Sequence, residues 1–149
     1  MSEEWLYNNE IFNPANYPID DYAGFIYCIT NLIDGRKYIG KKTLWSTKRV
    51  ERVVTLKNGT KKKKKITKKS ESDWKSYWSS SNELQGDVES LGKENFQREI
   101  LRFCKTKAEM SYYETKYQLE LDVLLQPNLW YNNFIGCKIN RSHLKHLLK

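Results

Sequence analysis

Two strand-like runs joined by a turn, within residues 24–40, constrain this chain most. Gly24-Phe25-Ile26-Tyr27-Cys28-Ile29-Thr30 is rich in β-branched and aromatic residues and reads as a strand. Asp34-Gly35 is a hairpin turn signal, and Lys37-Tyr38-Ile39-Gly40 reads as the returning strand. Antiparallel pairing of such runs can bring Tyr27 and Tyr38, which are separated by residues 28–37, together on one face.

The rest of the 149 residues supplies what such a hairpin needs to become a domain. Phe96–Phe103 is a third strand candidate. Leu84, Val88 and Leu91 share one face of a helix over 82–91, with a capping box at Ser80 and Glu83 and a stop at Gly92. Thr106 and Glu109 repeat that capping-box spacing. They open a helix over 107–125 with a stripe of Met110, Tyr113, Tyr117, Leu121 and Leu124, closed by Pro127. The expected fold class is α+β: a small three-stranded antiparallel sheet flanked by helices, with a basic β-ribbon inserted. Breaker pairs such as Asn13-Pro14 and Tyr17-Pro18 mark 1–22 as an irregular acidic arm, pinned by Trp5, Phe12 and Tyr17. Residues 23–136 form the expected main domain, and 137–149 a basic tail with a helical turn or two from Ser142.

Charge narrows the function. The chain carries a net +8, but residues 1–22 hold five acidic and no basic side chains. Between 41 and 69 stand thirteen basic residues against a single acid, Glu51. That density repels itself unless a polyanion neutralises it, and nucleic acid is the commonest such partner. The plain alternative is a solvated lysine loop that aids solubility. Within this segment, 50–67 reads as a second hairpin turning at Asn58-Gly59. A two-stranded ribbon alone is marginally stable in water, so a mobile basic finger is expected. Its candidate DNA contacts are Lys42, Lys48, Arg52, Lys57, Lys61, Lys62, Lys63, Lys64, Lys65, Lys68 and Lys69.

Other classes recede. Three widely spaced cysteines, Cys28, Cys104 and Cys137, form neither a disulfide framework nor a zinc pattern. No apolar run approaches a membrane span, and the acidic N-terminus is unlike a signal peptide. A cytoplasmic protein with reduced thiols is expected.

The chemistry-bearing residues resemble the GIY-YIG nuclease family. Phe25-Ile26-Tyr27, ten residues and then Tyr38-Ile39-Gly40 match its defining pair. Lys41 matches a basic residue found there in some members, notably the nuclease domain of bacterial nucleotide-excision repair. Ser79-Ser80-Ser81, the helix after it and Gly92-Lys93-Glu94-Asn95-Phe96 look like the corresponding stretch of intron-encoded homing endonucleases. Glu114 with Tyr117 looks like that family's catalytic glutamate and following aromatic, and Tyr131-Asn132 like its terminal element. The pieces keep their order over about 23–135. Phe25 replaces the usual first glycine, the arginine expected ten residues after the second tyrosine is Lys48, and the nearest substitutes are Arg49 and then Arg52. A histidine of some homing members has no counterpart, since His143 and His146 lie in the tail.

The resemblance implies a phosphodiesterase using one divalent cation, magnesium by preference, with Glu114 as its protein ligand. It implies Tyr27 and Tyr38 jointly as general base, Lys41 and Arg49 as supporting cations, Arg49 on the scissile phosphate, Asn132 as an orienting group and Gly40 as part of the motif. Ionising a tyrosine of pKa about 10 at neutral pH costs about 4 kcal/mol, much of which neighbouring cations and the metal would offset. The expected partner is double-stranded DNA, with a phage or mobile-element origin in keeping with the homing-like motifs. With no room for a separate recognition domain, the chain would cut with low specificity, recognise a DNA structure, dimerise or borrow a targeting partner. Two rivals stand beside this reading: a non-catalytic nucleic-acid-binding module on a decayed nuclease fold, and a basic scaffold whose tyrosine pair is core.

Overall fold

The computed structural model describes residues 4–149. Seven strands and two α-helices follow one another as β1 Trp5–Tyr7, β2 Glu10–Ile11, β3 Gly24–Asn31, β4 Lys37–Thr43, β5 Trp45–Thr55, β6 Lys61–Glu71, α1 Asn82–Leu91, β7 Phe96–Cys104 and α2 Lys107–Glu120, with short 3-10 turns between and after them. The fold is α+β, as expected. The sheet is larger than expected: five strands in the order β2-β1-β7-β3-β4, with β1 parallel to β7 and the other pairs antiparallel.

The expected antiparallel trio, β7-β3-β4, is the centre of that sheet. The two extra strands come from the segment read as an irregular arm. Three residues between breakers are too few for any periodicity to show. What places them is aromatic packing. Trp5 is buried, meets Phe25 and Tyr27 edge-on at 5.0 and 5.5 Å, and donates its indole N–H to the Trp74 carbonyl at 2.9 Å.

Both faces of the sheet are covered. Phe25, Tyr27 and Ile29 of β3 pack with Leu84 and Val88 of α1 and with Trp74, Phe96 and Ile100. Ile26 and Cys28, alternating with them, pack with Ile39, Cys104, Val123 and Met110 of α2. Strand β3 is therefore buried along nearly its whole length.

Helix α1 has the expected bounds, but its cap is Ser81, which accepts from Leu84 N–H at 3.3 Å, one residue beyond the predicted Ser80. Helix α2 starts where expected: Thr106 accepts from Glu109 N–H at 3.0 Å. It ends at Glu120 rather than 125, because Asp122 turns left-handed (φ +52°) into a 3-10 turn that buries Val123. Leu121 and Leu124, predicted for the apolar stripe, are consequently exposed. The ribbon β5-β6 extends beyond the predicted 50–67. Its connection is a three-residue loop, with Leu56 N–H donating to Thr60 and Gly59 N–H to Leu56, and Gly59 sits at φ +82°. Among the described residues no helix is long and apolar enough to cross a membrane.

Candidate active site

Strand β4 is an edge of the sheet, so side chains from both faces can meet around it. Tyr27 pairs across the strands with Gly40, and Tyr38 with Ile29, which makes the two tyrosines diagonal neighbours on one face. Their ring centroids are 6.2 Å apart, tilted by 34°. A β-carbon at Gly40 would lie 2.6 Å from Tyr27 Cζ and 2.8 Å from Tyr38 Cε1. Glycine at this position gives the Tyr27 ring its path across the strand. The β3–β7 register slips between Ile26 and Tyr27, where Ile26 faces Arg102 and Tyr27 faces Ile100. Such a bulge re-aims the side chain beside it.

Helix α2 brings the carboxylate from the other face. Glu114 lines a cleft of about 300 Å³ together with Tyr27, Tyr38, Lys41, Ser80 and Gln118, with Phe134 and Gly136 at its side. Lys41 Nζ donates to Ser111 Oγ at 2.8 Å and stands 4.0 Å from Glu114 Oε1. Tyr38 and Ser80 share a hydroxyl–hydroxyl hydrogen bond of 3.3 Å. An adjoining hollow of about 340 Å³ also touches Tyr38, Ser80 and Phe134 and reaches the first turn of α1. Ser79, buried next to Ser80, is held left-handed at φ +82°.

Asn132 fastens the edge strand from outside. Its Oδ1 accepts from Ile39 N–H at 3.0 Å and its Nδ2 donates to the Ile39 carbonyl at 2.8 Å, replacing a neighbouring strand. Gln118 Nε2 donates to the same carbonyl at 3.2 Å. Asn132→Ala leaves the buried Ile39 N–H without this partner. Urea unfolding is expected to show a loss of about 2 kcal/mol, in the range set by an unsatisfied buried backbone group.

The electrostatics favour neutral groups. Burial raises the Glu114 pKa, with the Lys41 ammonium and backbone N–H opposing. Burial, then Tyr77, Tyr38 and Glu114, push Tyr27 well above an ordinary phenol. Tyr38 is also raised by burial, against the lowering effect of Ser80. Glu109, one turn earlier on α2 and also buried, is differently placed. It accepts from Lys105 N–H at 2.9 Å and has Arg102 at 3.6 Å and His146 at 3.1 Å. Glu114 has a single lysine at the limit of an ion pair and opens onto the cleft.

Not all expected residues converge. Arg49 and Arg52 are exposed on β5, opposite Thr67 and Lys64, and neither lines the cleft. The long insertion carries them out along the ribbon, so the cleft's positive charge comes from Lys41. Lys42 pairs with Asp73 at 2.6 Å and lies over the Tyr77 ring, so it is engaged within the protein. Ser80 lines the cleft instead of capping α1. Gln118 lies on the predicted helix without having been singled out. Phe134 and Gly136 gave no signal, being loop residues.

Among the described residues no group of three or more His, Cys, Asp or Glu forms a metal cage. One half-buried carboxylate beside phenol and hydroxyl oxygens is a donor set suited to a hard cation that keeps most of its water.

The chain matches the family model described as "Putative endonuclease segE, GIY-YIG domain" over residues 5–135, and it belongs to the GIY-YIG nuclease family. The matched span begins at Trp5, the first residue of β1. No curated protein and no solved structure gives a match.

Proposed function

We propose that this protein is a metal-dependent DNA endonuclease of homing or phage type that hydrolyses phosphodiester bonds with tyrosine assistance. The observation that carries the proposal is that Tyr27, Tyr38, Lys41 and Glu114, spread over nearly ninety positions of sequence, line one cleft. Glu114 is the residue that would hold a magnesium ion. When bound, that ion supplies charge relief to the phosphoryl oxygens and favours ionised forms of the groups near it. One tyrosine of the pair, ionised to the phenolate with the bound cation and Lys41 offsetting the cost that burial imposes, would accept the proton of the attacking water at its phenolic oxygen, and Ser80 is hydrogen-bonded to the Tyr38 oxygen. Lys41 faces the phosphate, and Asn132 acts through the β4 backbone rather than on substrate.

Plasmid DNA tests this reading: nicks should form with magnesium and cease with chelator. That neither Arg49 nor Arg52 lines the cleft favours a second reading, a non-catalytic DNA-binding module, which intact binding without any nicking would establish.

The ribbon supplies affinity in this proposal. Duplex binding is expected to weaken more than about tenfold between 50 and 200 mM salt, since lysine–phosphate contacts release counterions. Thr47 and Lys69 face each other across the ribbon, so a short turn can replace residues 48–68. Anisotropy titrations of that variant should show a much flatter salt slope, and an unchanged slope would exclude the ribbon as a DNA arm. Three free thiols, one of them the exposed Cys137, support action in a reducing cytoplasm.

A further inference from the structure

The two faces of the ribbon are not equivalent. Residues directly opposite in an antiparallel pair point the same way, and neighbours along a strand alternate. The register Lys48↔Lys68, Val50↔Ile66 and Arg52↔Lys64 places these six side chains on one face. That face carries like charges directly opposed at two levels and no acid. Val50, Val54 and Ile66 on it are partly covered by their neighbours.

The other face is partly self-neutralised and tied to the domain. Glu51 lies opposite Lys65 and beside Arg49, and Glu71 lies opposite Trp45. At the root of that face Trp45 donates its indole N–H to the Tyr22 carbonyl at 2.9 Å, Lys69 lies over its ring, and Glu71 accepts from the Trp74 indole at 2.8 Å.

We infer that the ribbon enters the DNA major groove with its Lys48–Arg52–Lys64–Lys68 face, and that Arg52 reads a base there. This rests on the proposed DNA-arm role and says which surface and which residue carry it. Opposed like charges at Lys48/Lys68 and Arg52/Lys64 are unfavourable in the free protein and are relieved by a polyanion. Eleven residues per strand extend about 37 Å, close to one turn of B-DNA. The major groove, about 12 Å wide, admits a two-stranded ribbon. Lysines on this face act as point charges on phosphates, whereas Arg52 is its one planar fork, the group that pairs with the O6 and N7 of guanine.

Two charge-matched double variants on β6 test the face, in the full chain with Glu114→Gln to prevent cutting. Removing Lys62 and Lys64 (both to Ser) should weaken duplex binding at least about tenfold and lower the salt slope by about 2. Removing Lys63 and Lys65 (both to Ser) should change affinity less than about threefold. Equal losses, or the reverse order, overturn the face assignment and leave the ribbon as a DNA arm. No loss from either pair overturns both. Site selection from random duplex DNA tests the base contact. Arg52→Lys should erase a guanine preference at one position while overall affinity stays within about threefold. A preference unchanged by Arg52→Lys, or none in the parent protein, overturns base reading by Arg52.

Discussion

Glu114→Gln is expected to lower plasmid cleavage by at least about 10³-fold while leaving duplex affinity within about threefold. Removing one preorganised charge-stabilising group alone costs about 10² to 10³, and on the proposed reading the residue that would hold the cation goes with it. The ribbon, which we hold responsible for affinity, is untouched. The same substitution should make the protein more stable at neutral pH. Burial makes Glu114 harder to ionise in the fold than in the unfolded chain. The native state therefore binds the proton more tightly, and stability falls as pH rises from the ordinary glutamate range, near 4.3, through the raised value. Glutamine carries no charge to desolvate. Thermal melts at pH 7 should show the variant melting higher, and the gap should close below pH 4. A variant that is inactive but also less stable at pH 7 would mark Glu114 as a structural residue instead.

Gly40→Ala should be nearly as damaging to cleavage, by about 10²-fold, through a single methyl group. The added carbon would sit within 3 Å of both tyrosine rings, and the Tyr27 ring cannot simply swing away. Tyr27 is fully enclosed, and the backbone of β4 is held by Asn132 and Gln118. Overpacking of this kind costs about 1–3 kcal/mol, and a shift of about 1 Å at reacting groups can cost about 10² in rate. Stability from urea unfolding and kcat at saturating DNA separate the two effects. Full activity in the alanine variant would mean that the position of the Tyr27 phenol does not matter to the reaction.

The central strands and the start of α2 were legible because local signals agreed there with the final packing. Asp34-Gly35 closes the hairpin, with Gly35 at φ +82°, and Thr106 caps its helix. The tyrosine pair and Glu114 were legible from motif spacing, and the structure brings them to one cleft. What stayed hidden depends on contacts remote in sequence. Strand β1 exists because Trp5 meets Phe25 and Trp74. The end of α2 depends on the left-handed Asp122, where the apolar spacing runs on regardless. Ten residues on from Tyr38 stands Lys48, with Arg49 next to it, and both lie on β5 of an insertion that leads the chain away from the cleft.

Strand β1 lies parallel to β7, so Trp5–Tyr7 pair with a segment some ninety positions later. On the ribosome, Trp5 has no β7 to join until the chain through Cys104 has emerged, and α2, with Glu114, follows β7. A nascent chain thus displays its lysine-rich ribbon before the cleft of Tyr27, Tyr38 and Glu114 can assemble. On the proposed reading, cutting competence therefore waits on both β7 and α2, while the cationic ribbon precedes them along the chain.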